Sequence, residues 1–90
     1  MLVYIILCDW ENYSNDNKNG FCSVHSSVES TLKKLNNIAS SYDIEIDDDN
    51  TKMMIEALEH DDATPPIFET KAESKFDTSE SYYVLAYEMD

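Results

Sequence analysis

The first apolar feature of the chain is an unbroken run, Leu2-Val3-Tyr4-Ile5-Ile6-Leu7-Cys8, rich in β-branched side chains. A short run with no polar alternation predicts a strand buried on both faces. Asp9 to Gly20 holds four Asn and the only Gly, which predicts a loop. Gly20-Phe21-Cys22-Ser23-Val24-His25 then alternates as a second strand, so the two form a hairpin with a long connection. Ser26 followed three residues later by Glu29 fits a capping box at a helix start. Val28, Leu32, Leu35, Ala39 and Tyr42 recur at helical spacing and predict the inner face of that helix, turned toward the first strand.

Ile44 and Ile46 alternate with acids and read as a short extended piece. Asp47-Asp48-Asp49-Asn50 offers good N-caps whose charge complements a helix dipole. A second helix is predicted over residues 50–60, with Met54, Ile55 and Leu58 facing inward. Thr64-Pro65-Pro66 ends it, Ile67-Phe68 suits a short edge strand, and residues 73–81 read as a loop. The last strand is Tyr82–Met89, with Tyr83, Leu85, Tyr87 and Met89 on one face and Tyr82, Val84, Ala86 and Glu88 on the other. Tyr83 and Tyr87 are expected in the core. The fold class is α+β: a small, mainly antiparallel sheet in β-β-α-α-β order, with an extra short edge strand and two helices packed on one face. The run Leu2–Cys8 is expected at its centre, between residues 20–25 and 82–89. At 90 residues the chain is a single domain, and an apolar content of 42% with 11% aromatics is that of a folded protein.

Charge changes the picture most. Nineteen acids face six cations, all Lys, for a net charge of −13. Residues 1–42 hold four acids and three Lys, a net −1; residues 43–68 hold nine acids and one Lys, a net −8; residues 69–90 hold six acids and two Lys, a net −4. Phosphate neutralisation supplies most nucleic-acid affinity, so this balance and the absence of Arg argue against direct nucleic-acid binding and against anionic membranes. They favour a basic partner. No stretch approaches the about 20 apolar residues of a membrane span, and the start lacks the marks of a secretory leader. Two cysteines make no disulfide framework, and a cytoplasmic setting is expected.

Several chemistries fail on spacing. A calcium loop beginning at Asp48 reaches Glu59 at its twelfth position but carries Met53 at its sixth, where Gly is required. Starts at Asp43 and Asp47 reach Met54 and Leu58. Cys8, Cys22, His25 and His60 include no close cysteine pair for zinc, and both cysteines are expected in the core. Cys22 and His25 stand three apart on a strand and so point to opposite faces, which removes the nearest thiol–imidazole pair. Gly20 stands alone, without a phosphate-binding loop. No metal, cofactor or enzymatic activity is expected.

The residues left to act are acids and aromatics. Glu56 and Glu59, three apart, are expected on one helical face about 5–6 Å from each other, a spacing comparable to that of backbone phosphates. Asp47, Asp48 and Asp49 precede them, Asp61 and Asp62 continue the track, and Glu69, Glu73 and Glu80 support it. Trp10 and Tyr13, in a polar loop, are candidate interface anchors. A short chain without Arg, acidic from Asp43 to Asp62 and from Glu69 to Asp90, resembles in type the small acidic bacteriophage-encoded inhibitors that mimic nucleic acid, among them inhibitors of restriction enzymes, CRISPR effectors and DNA-packaging proteins. Val24-His25-Ser26-Ser27-Val28-Glu29 is also similar to short phage proteins in which a hairpin leads through a Ser-Ser cap into an amphipathic helix. The resemblance implies a non-enzymatic inhibitor acting in the host cytoplasm on the basic surface of a nucleic-acid-binding protein. Such inhibitors share no common sequence, so it transfers no residue. The alternative is a protein–protein adaptor or homodimer whose acidity serves solubility and whose contacts come from Trp10, Pro65, Pro66, Phe68 and the tyrosines.

Overall fold

The apolar run becomes β1, Leu2–Glu11, and pairs antiparallel with β2, Lys18–His25, on one side and β5, Ser79–Glu88, on the other. The computed structural model describes residues 1–11, 18–70 and 79–89, and for Trp10, Glu11, Lys18 and Asn19 the backbone alone. Two helices follow the hairpin, α1 at Val28–Ser41 and α2 at Asp48–Glu56, and two short strands, β3 at Asp62–Ala63 and β4 at Phe68–Glu69, precede β5. The sheet runs β2-β1-β5-β3, with β4 farther along the same edge of β5. This is the expected α+β architecture with β1 between its two long partners.

The hairpin is longer than its apolar residues suggested. Asp9 pairs with Asn19 and Trp10 with Lys18, so backbone hydrogen bonding carries the ladder into the polar segment. A bulge opposite Ile6 and Leu7 falls at Cys22, which is exposed rather than in the core. The outer edge of β5 is broken by Pro65 and Pro66, which have no N–H to give a ladder. Thr64 bridges the gap: its N–H donates to Val84 O, and its hydroxyl accepts from Val84 N–H at 2.9 Å.

Helix α1 starts one residue later than the capping-box reading. Ser27, extended at φ −141° and ψ 156°, is the N-cap, and its Oγ accepts from Ser30 N–H at 3.1 Å. Glu29 lies in the first turn, where its charge complements the dipole. At the other end Asp43 takes φ 58°, Asp43 N–H donates to Ser40 O and Ile44 N–H to Ala39 O. This is a Schellman ending with Asp at the position that usually needs Gly. Helix α2 is capped by Asp47, whose Oδ1 accepts from Asn50 N–H at 3.0 Å. It spans 48–56 rather than 50–60, because the chain leaves the helix at Ala57.

Both helices lie on the face of the sheet that carries Ile6, Cys8, Tyr82 and Val84. Leu35 and Ala39 from α1, Ile55 from α2 and Phe68 from β4 complete the core, and the Phe68 and Tyr82 rings stack at 4.7 Å. The buried stripe of α1 is Thr31, Leu35 and Ala39, flanked by Val28 and Ile38. The stripe predicted through Leu32 is therefore rotated. Thr31 lies on the inner stripe with its hydroxyl satisfied by donating to Ser27 O at 2.8 Å, while Leu32 is half-buried and Tyr42 exposed. Ile44 and Ile46 pack against the core without forming a strand. Tyr82 is the core tyrosine; Tyr83 and Tyr87, both expected inside, alternate onto the face that the helices do not cover, where Tyr83 is half-buried and Tyr87 exposed. Among the described residues no helix is long and apolar enough to cross a membrane.

Leu35→Ala is expected to cost about 2–5 kcal/mol, since it empties a fully buried site, and Leu32→Ala clearly less. Urea denaturation of both variants checks this; equal losses would return Leu32 to the inner face.

Candidate functional site

The acids singled out between Asp47 and Asp62 are all exposed, in and around α2. They differ in what else they do. Asp47 caps α2, and Asp48 Oδ1 accepts from Asn36 Nδ2 at 2.9 Å, tying α2 to α1. Glu56 pairs with Lys52 at 3.8 Å, an exposed contact of little energetic weight. Asp62 Oδ2 accepts from Glu59 N–H at 3.4 Å. The carboxylates of Asp49, Glu59 and Asp61 have no hydrogen bond or ion pair among the described residues. Glu56 is the last residue of α2 and Glu59 lies beyond its cap, so the two do not share a helical face and the expected 5–6 Å spacing does not apply. What remains is two groups of exposed acids, Asp47 to Asp49 at the α2 cap and Glu56 to Asp62 at its end and in the turn where Asp61 has φ 62°, with Lys52 between them.

The supporting residues separate. Glu69 is exposed on the β4 edge and accepts from Ser81 Oγ at 3.2 Å. Glu80 is drawn inward: its Oε2 accepts from Tyr82 O–H at 2.7 Å and from Tyr42 O–H at 2.9 Å. This half-buried carboxylate latches the end of α1 to β5 and is not part of a free acidic surface. Tyr13 and Glu73 lie outside the described residues, and for Trp10 the description reaches the backbone, which pairs with Lys18 and Glu80.

Two clusters escaped the sequence reading. His25 shares hydrogen bonds with Ser23 Oγ through Nε2 and with Ser30 Oγ through Nδ1, both at 2.7 Å, linking β2 to the first turn of α1. Burial first, then the nearby Lys34, lowers the pKa of His25, so the ring stays neutral at physiological pH. A Ser–His contact is the beginning of a nucleophile–base pair, but the group orienting the imidazole is a hydroxyl and not a carboxylate. The arrangement joins sheet to helix. At the opposite end Glu88 accepts from the Met1 ammonium at 2.7 Å, which holds its carboxyl below the ordinary range, and His60 Nδ1 lies 3.0 Å from its other oxygen. Among the described residues no three His, Cys, Asp or Glu side chains converge on a common point as metal ligands would.

Comparison with protein-family models, characterised proteins and solved structures finds no match to this chain.

Burial, reinforced by the bond to Glu80, holds the Tyr82 phenol well above its ordinary 10.0, and burial pushes the Cys8 thiol from 9.0 up to about 11. Both groups ionise more readily in the unfolded chain, so the folded state keeps more protons at high pH and stability falls as pH rises through and beyond 9–10. The melting temperature is expected to hold between about pH 7 and 9 and to decline above that. Tyr82→Phe is expected to lower stability near neutrality by about 1–2 kcal/mol, through the lost bond to a charged acceptor, and to make the alkaline decline shallower. Thermal melts across this pH range test both effects; a flat profile in the parent would show that neither group is linked to folding.

Proposed function

We propose that the protein is a non-catalytic binding module whose exposed acids around α2 occupy the basic, nucleic-acid-binding surface of another protein and so exclude the nucleic acid. The observation that carries this reading is the set itself: seven exposed acids between Asp47 and Asp62, interrupted by one Lys. A surface of one sign attracts a basic groove at long range and accelerates encounter. Self-repulsion among these charges costs stability, which argues that they serve more than the fold. The likeness in type to phage inhibitors supports a host protein as target and the host cytoplasm as the place of action. Trp10 and Tyr13 are the aromatic anchors proposed to add the specificity that charge alone lacks.

The division of labour among the acids makes a clean test. Asp49→Asn, Glu59→Gln and Asp61→Asn alter carboxylates with no partner among the described residues, and Asn tolerates the left-handed backbone at position 61. The triple variant is expected to fold as the parent does and to bind its basic partner about tenfold more weakly at low salt, about 1.4 kcal/mol, with the difference shrinking as salt is added. Asp47→Asn keeps a capping side chain and serves as the control. The assay is displacement: a basic partner retained on the immobilised protein and eluted by salt is loaded with labelled duplex DNA or RNA and challenged with parent or variant. Simultaneous binding of protein and nucleic acid, or equal potency of the triple variant, removes mimicry.

A further inference from the structure

We draw no further inference here: the strongest candidate, the apolar face of the sheet that the helices leave uncovered and on which Phe21, Val24 and Tyr87 are exposed, carries nothing because nothing in the structure shows what covers it.

Discussion

Pairing β1 with β5 joins Leu2 to Glu88 and Glu11 to Ser79 in one antiparallel ladder. Everything else is placed relative to that ladder. Its alternation puts Ile6, Cys8, Tyr82 and Val84 on one face, and these receive Leu35, Ala39 and Ile55 from the helices. Its outer edge takes β3 and β4, and at its end Glu88 holds the Met1 ammonium. The ladder closes most of the chain into one loop, and the entropy of that closure comes before its contacts can compensate it. The local elements prepare for it: the hairpin positions β1, and the two capped helices supply the surface against which β1 and β5 bury their inner side chains. The Glu80 carboxylate adds a polar tie in the same region, gathering the phenols of Tyr42 and Tyr82 so that α1 and β5 are held in one arrangement.

Acidity is distributed by task. Asp47 is a cap, Asp48 a link between helices, Asp62 a turn acceptor and Glu80 a latch, each using an oxygen for a donor that the fold presents. Asp43 and Asp61 serve through their backbones, taking left-handed conformations that Asp tolerates better than most side chains. The single Gly of the chain is at neither position. A composition this rich in Asp thus provides turn and cap chemistry as well as field. Among the described residues Asp49 and Glu59 have no such local task, and Asp61 uses its backbone while its carboxylate has no partner there.

The layout was legible where burial follows period. The strand character of β1 and the alternation of β5 appear in the sequence because each is set by spacing alone; which face of β5 the helices cover does not, and the inward side of α2 is Thr51 and Ile55 rather than Met54, Ile55 and Leu58. The stripe of α1 was misplaced because Thr31 is polar by type, and its burial is tolerated through a local bond of its hydroxyl to Ser27 O that hydropathy does not encode. The end of α2 was missed because Leu58 continues the apolar spacing after the chain has left the helix, and the turn that follows has Asp61, rather than Gly, at positive φ. For the same reason the Glu56–Glu59 pair dissolved: its spacing was an inference from a helix that stops one residue after Glu56, at its cap. The acidic segment itself was readable from composition. Which of its acids are free was not, since that depends on donors such as Asn36, distant in sequence. The Ser23–His25–Ser30 chain was equally hidden, because it joins a strand to a helix across the sheet edge.

Separation of charge from apolar surface is the feature that sequence and fold express together. Nineteen acids in 90 residues make polar side chains abundant, so an outward strand position occupied by Val24, Phe21 or Tyr87 does not reflect a shortage of alternatives. Acids placed at those positions would satisfy the usual alternation of a half-solvated sheet and relieve exposed apolar area. Among the described residues most acids lie instead around α2, on the helix-packed side of the sheet, and toward strand ends. The two surfaces then obey different physics. Covering the sheet face removes apolar area from water and buries no charge at its centre, so its attraction persists in salt. The acids act through a field that salt shortens to a few ångströms. Ionic strength therefore distinguishes a contact made through the sheet face from one made through the acids around α2.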